Sequence, residues 1–192
     1  VEKAFSRKDL LNIESSTVLG HVRYSTTGDG SHENIQPLLA RFSDQSGIAL
    51  AHNGNLVNTK LLQKKLMEEG HIFHSTSDTE IILTYLSRYR NKGMMKAVEM
   101  TMSLIKGAYA AVALDPCGMT AFRDPEGFRP LVIGKLDEAL IVASETAALD
   151  SLGADYIRDI EAGEIVRIEN SGLISFSVKG SDSGKVSPCI FE

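Results

Sequence analysis

Residues 47–70 read GIALAHNGNLVNTKLLQKKLMEEG. The apolar run 47–51 has the length and composition of a buried strand. It leads into His52-Asn53-Gly54-Asn55, a dense turn signal, and Asn-Gly is a favoured pair for a two-residue hairpin. The segment after this turn signal is not a second strand. Asn58 can cap a helix that carries Leu61, Leu62 and Leu66 and that Gly70 ends. Strand, turn, helix is therefore the expected order, and it commits this part of the chain to a mixed fold.

Upstream, residues 17–24 read as a strand that runs out into GHVRYSTTG at 20–28. A strand that opens into a glycine-closed loop is a means of presenting a side chain to a ligand. Here the side chain is Arg23, whose rigid fork suits a carboxylate or a phosphate. Taken alone, the stretch reads equally as a surface arginine at a strand end.

Downstream, Ser77-Asp78-Thr79-Glu80 has the form of a capping box, with Ser77 at the N-cap and Glu80 reaching back to it. It opens a helix with Ile81, Ile82, Tyr85, Leu86 and Tyr89 on its apolar side. A third helix is expected over residues 94–105. AYAAVALD and MTAFRD then form a hairpin about Pro116-Cys117-Gly118, followed by the turn-rich loop RDPEGFRP. LVIG and ALIVAS give two more strands, and residues 145–152 a short helix ended by Gly153. EIVRIEN and LISFSV close the series as a hairpin about Asn170-Ser171-Gly172. This order predicts an α+β domain with antiparallel sheet covered by a few helices. The glycine- and serine-rich stretch from Lys179 reads as a linker.

The composition sets bounds. With 192 residues, 43% of them hydrophobic and 23% charged, the chain is long enough for one globular domain with a sizeable core. A net charge of -5 and 6% aromatic residues leave no basic stripe or stacking platform for nucleic acid. No apolar run reaches the roughly 18 residues of a membrane span, and the first ten residues lack the apolar segment of a signal peptide. The two cysteines, Cys117 and Cys189, form no CxxC pattern, which fits a reducing, cytoplasmic setting without structural zinc. His71 and His74 are three apart, but no carboxylate or cysteine completes a metal pattern, so no metal ligands are assigned. Cys117 reads as a turn residue, and Arg123, Asp124 and Arg129 as a salt-bridged loop.

Three features combine into a site. An enzyme acting on an amino-acid amide needs an arginine for the α-carboxylate, a carboxylate for the α-ammonium and donors for the oxyanion. Arg23, Asp78 and the Asn53–Gly54 pair supply those groups. Each has a plainer reading: Asp78 as a favourable charge at a helix start, Asn53 and Gly54 as a turn.

The same residues carry a resemblance. GHVRYSTTG, AHNGNLVN, SDTE, RDPEGFRPLVIG, VASE and the final CIFE resemble, in order and over nearly the whole chain, the glutaminase half of the glutamine phosphoribosylpyrophosphate amidotransferase family. HNG alone is shared across class II glutamine amidotransferases; RDPEGFRPL and HVRYSTTG point to this member. The resemblance implies an N-terminal-nucleophile hydrolase fold, a four-layer αββα sandwich incomplete at its N-terminus, over residues 1–178, with 179–192 linking to a phosphoribosyltransferase domain. It implies that Arg23 holds the glutamine α-carboxylate and Asp78 the α-amino group. Asn53 and Gly54 would form the oxyanion hole, with Tyr24 and Thr26 lining the pocket. His21 and His52 would brace the pocket loops.

The family's nucleophile is an N-terminal cysteine whose own amine acts as base. No cysteine opens this sequence, so the nucleophile is expected ahead of Val1 and the chain alone is expected to be inactive. The resemblance further implies release of ammonia from glutamine for transfer to phosphoribosyl pyrophosphate, giving phosphoribosylamine for purine synthesis. It implies Mg²⁺ in the transferase half, and in some members an iron–sulfur cluster with a cysteine near Cys189; one cysteine cannot hold a cluster, so none is expected in this segment. The full-length protein is expected to be a homo-oligomer. The alternatives are another class II amidotransferase, such as glucosamine-6-phosphate synthase or glutamate synthase, or a glutamine-binding module without a nucleophile. The run Tyr24-Ser25-Thr26-Thr27 argues against glucosamine-6-phosphate synthase.

Overall fold

The structure, a computed structural model, describes residues 15–22, 32–169 and 172–177. Its strands are β1 (Leu38–Arg41), β2 (Gly47–Leu56), β3 (Gly107–Asp115), β4 (Gly118–Arg123), β5 (Val132–Leu136), β6 (Ala139–Ala143), β7 (Asp155–Asp159), β8 (Glu164–Glu169) and β9 (Gly172–Ser177). Its helices are α1 (Thr59–Glu68), α2 (Thr79–Tyr89), α3 (Met94–Met102) and α4 (Thr146–Leu152). Six strands form one antiparallel sheet in the order β1-β2-β3-β4-β8-β9, and three form a second in the order β6-β5-β7.

The period-two alternation of the large sheet builds two cores. One face presents Leu50, Tyr109, Ala111, Ala113, Phe122 and Ile165 to the buried sides of the helices, chiefly Leu66 of α1, Ile82 and Leu86 of α2, and Val98 and Met102 of α3. The other face presents Ala110, Val112, Ala121, Val166 and Ile168 to Ile133, Leu140 and Val142 of the small sheet. On the far side of that small sheet lies α4. A Cβ at Gly134 would stand 2.6 Å from a methyl carbon of Leu149, so the missing side chain is what lets α4 settle on β5. Leu149 is 1% exposed, a burial worth about 2 kcal/mol. The layers run helices, sheet, sheet, helix, which is the α+β, αββα arrangement.

Several expectations are corrected. The His52–Asn55 segment is not a turn: β2 continues to Leu56, with Asn53 opposite Ala110 and Gly54 opposite Tyr109. It can continue because Gly54 takes φ +134° and its backbone passes so close to β3 that a Cβ would meet the Ala108 carbonyl at 2.0 Å. Residues 17–22 form no strand; Val18 and Val22 are 62% and 72% exposed, and no partner strand runs beside them among the described residues. β1 and β7 were not foreseen. The first is only four residues long, and the second, DYIRD, is mostly charged and exposed.

Helix ends also differ from the reading. Asn58 caps no amide; its side chain donates to the Leu104 carbonyl and accepts from Lys106 N–H, tying the start of α1 to the α3–β3 turn. Leu61, expected on the apolar side of α1, is 69% exposed. The linker, with Cys189, lies outside the described residues.

Candidate active site

The site is built where β2 outruns β1. Leu38, the first residue of β1, pairs with Leu50, so beyond that point β2 has no strand on its outer side among the described residues. Backbone N–H groups on an open edge need other acceptors. His52 N–H donates to the Gln36 side-chain carbonyl at 2.7 Å, and Leu56 N–H donates to Asp78 Oδ2 at 2.8 Å. Alternation along a strand sets the Gly54 N–H on this same edge, between those two. The Asn53 side chain, half-buried on the opposite face from His52, makes no hydrogen bond among the described residues.

Asp78 sits at the start of α2, with its side chain 15% exposed. The expected capping box does not form. Ser77 Oγ accepts a long bond from Thr79 N–H at 3.3 Å, but Glu80 turns the other way. Its carboxylate accepts from His74 N–H, Ser75 N–H and the Ser75 hydroxyl, so it holds the approach loop rather than the helix start. Asn34, 1% exposed, joins that loop to the segment before β1 through Thr76. Two independent clasps therefore fix the position from which Asp78 reaches β2.

His52 lies beneath this edge. Its Nδ1 is 3.1 Å from the Thr79 hydroxyl and 3.6 Å from Asp78 Oδ1, and its Nε2 is buried without a hydrogen-bond partner among the described residues. Burial pushes the imidazole below its ordinary pKa; Asp78 opposes the shift, and His21 and Arg129 add to it. The ring is therefore neutral near pH 7 and brings no positive charge to Asp78.

Behind the edge stands a polar hub. Asp124, fully buried, accepts from the N–H groups of Tyr109, Glu126, Phe128 and Arg129. Arg123 donates to the carbonyls of Gly127, Arg129 and Ile160. The loop expected to be salt-bridged is wound about two charges, Arg123 and Asp124, that bind backbone. Because Tyr109 pairs with Gly54, the hub backs the strand that carries the site. The Tyr109 phenol is buried and pushed well above its ordinary pKa by burial and by Asp124, which keeps it protonated.

The structure thus brings Asn53, Gly54 and Asp78 to one edge and adds Gln36, His52 and Thr79, which the sequence reading had left out of the site or given only a bracing role. Thr79 was visible in SDTE, yet nothing local marks it as a partner of His52. Arg23, Tyr24 and Thr26 lie outside the described residues. A groove of about 410 Å³, walled by Leu39, His71, His74, Glu80 and Leu83 among others, opens beside α2, but neither Asn53, Gly54 nor Asp78 lines it. Cys117 is exposed in the β3–β4 turn. It lies beyond Asp115, itself six strand positions and about 20 Å along β3 from Tyr109, and so cannot attack a substrate held at Gly54. Among the described residues no three His, Cys, Asp or Glu side chains converge to hold a metal ion.

The fold and this edge define a glutamine amidotransferase domain. The chain belongs to that family, whose Glutamine amidotransferase domain matches residues 21–151. Within it, the chain is similar to amidophosphoribosyltransferases. It is 40% identical to the Bacillus subtilis amidophosphoribosyltransferase over 175 residues, covering 91% of this chain and 37% of the relative. It is 46% identical to that of Staphylococcus epidermidis over 156 residues, covering 81% and 31%. The solved B. subtilis glutamine phosphoribosylpyrophosphate amidotransferase, complexed with ADP and GMP, matches with a TM-score of 0.78 at 41% identity, covering 83% of this chain and 34% of that one. The chain spans about a third of the length of these relatives.

Proposed function

We propose that this chain is the glutamine-binding, amide-hydrolysing part of an amidophosphoribosyltransferase. The observation that carries the reading is the open edge of β2, where two N–H groups are taken by Gln36 and Asp78 while the Gly54 N–H and the Asn53 amide stand beside them. An oxyanion hole needs preorganised donors of this kind, and they stabilise a tetrahedral intermediate without rearranging. Asp78, held by Leu56 N–H on one oxygen, keeps acceptor capacity on the other for the α-ammonium of glutamine. Arg23 would take the α-carboxylate through a two-point hydrogen bond, and Tyr24 and Thr26 would line the pocket.

A thiolate attacking the amide carbon would push charge onto the carbonyl oxygen between Asn53 and Gly54. Collapse of that intermediate releases ammonia, and water then releases glutamate. Passage of the ammonia to phosphoribosyl pyrophosphate, Mg²⁺ in the transferase part, an iron–sulfur cluster and homo-oligomer formation belong to the longer protein under this proposal.

The test is mass spectrometry after exposure to a diazo-ketone analogue of glutamine. In a polypeptide extended upstream to an N-terminal cysteine, the adduct is expected on that cysteine and glutamine should protect it. A glutamine-protected adduct on Cys117 or Cys189 would overturn the reading.

A further inference from the structure

His52 is the buried group at this edge that the mechanism leaves unused. Its side chain is 1% exposed, and one of its two nitrogens has no hydrogen-bond partner among the described residues. The geometry around the other nitrogen selects a tautomer. Nδ1 faces the Thr79 hydroxyl at 3.1 Å and the Asp78 carboxylate at 3.6 Å. A lone pair on Nδ1 would confront that carboxylate, whereas a proton there points its positive end at it and can donate to Thr79. The lone pair then falls on Nε2, on a ring whose ionisable neighbours among the described residues include His21 and Arg129 besides Asp78.

We propose that His52, as the Nδ1–H tautomer, is a positioning residue for ammonium recognition: Thr79 holds the ring so that its N–H faces Asp78 Oδ1, while Leu56 N–H fixes Oδ2. This rests on the reading of Asp78 as the partner of the glutamine α-ammonium. The carboxylate is gripped from two sides, by a backbone donor and by a ring dipole. Neither grip carries a full positive charge that would compete with the ligand. A protonated or lysine-like neighbour would orient Asp78 as well but would cancel the charge the ammonium needs.

The experiment compares the binding of L-glutamine and of 4-carbamoylbutanoate, which lacks only the α-amino group, to the whole chain by calorimetry or NMR titration. The wild type should prefer glutamine. His52→Leu and His52→Gln, which place no donor where Nδ1 stands, should lose about tenfold of that preference with little change for 4-carbamoylbutanoate. His52→Asn, whose amide nitrogen can stand in for Nδ1, should keep it. If the wild type shows no preference, the ammonium role of Asp78 fails and the proposal falls with it. If the wild type prefers glutamine but the Leu and Gln variants do so equally, or weaken both ligands alike, Asp78 stands and the role of His52 is wrong. Loss of the preference in His52→Asn would also overturn it. Should the Leu variant fail to fold by circular dichroism, the Gln and Asn pair decides.

Discussion

Two polar regions lie back to back on β3, and they treat their polar groups in opposite ways. In the Arg123–Asp124 hub each charge is wrapped by backbone: four N–H groups on Asp124 and three carbonyls on Arg123. At the edge of β2, among the described residues, Asn53 makes no side-chain hydrogen bond and His52 Nε2 is buried without a partner. Buried polar groups that are satisfied hold a fold together, and those left open need a reason. On that ground we read the hub as structural and the edge as the proposed site. Residue type alone does not separate them, since both are made of charged, amide and turn-forming residues.

The largest expected effect breaks the edge itself. Gly54→Ala places a Cβ at 2.0 Å from the Ala108 carbonyl at φ +134°, so β2 must leave β3. A loss of about 4 kcal/mol is expected in denaturant unfolding; a variant as stable as the wild type would mean that β2 does not follow this path. Next comes the hub. Asp124→Ala strips the acceptor from four amides and should cost about 3 kcal/mol. Binding of glutamine by the molecules that remain folded should change little, and a selective loss of binding at intact stability would make the hub part of the site.

A pH titration of stability sharpens the contrast from the side of the edge. The folded pKa of His52 lies below the ordinary 6.5, so as pH falls below that value the unfolded chain takes up the proton first. Stability is therefore present above the unfolded pKa and declines below it, by at most about 1.4 kcal/mol per pH unit from this group. Between pH 6.5 and 5 the wild type should lose stability more steeply than His52→Asn; equal slopes would mean that the ring is not held neutral. The smallest effect on stability is the most informative. Asn53→Ala removes an amide that makes no hydrogen bond among the described residues, so unfolding should shift by less than about 0.5 kcal/mol. In a glutamine-hydrolysing polypeptide containing this chain, the same change should lower kcat by about 10²-fold or more. A large loss of stability with little loss of kcat would place Asn53 with the structural residues.

Most of the fold was legible because its strands are apolar and its helices periodic. AYAAVALD, MTAFRD, EIVRIEN and the α2 run announce themselves through hydrophobic pattern alone. β2 was read short for a physical reason. Asn-Gly is locally a turn, and only β3, more than fifty residues away, holds it extended. β7 was missed because DYIRD exposes most of its side chains and carries little core signal. At the site, Asn53, Gly54 and Asp78 could be named from the chemistry an amide-processing enzyme needs. The meeting of His52 with Thr79 and Asp78 could not, because it depends on how the end of β2 meets the start of α2. The role of Asp124 was equally hidden, since its partners are backbone N–H groups that every residue but proline carries.

The most direct measurement is a titration of this chain with L-glutamine followed by backbone amide NMR. The account predicts saturable shifts centred on Asn53, Gly54 and Leu56, with weaker or absent shifts in Asp78→Asn. Shifts confined to the groove walled by Leu39, His71, His74 and Leu83, or unchanged by Asp78→Asn, would contradict it.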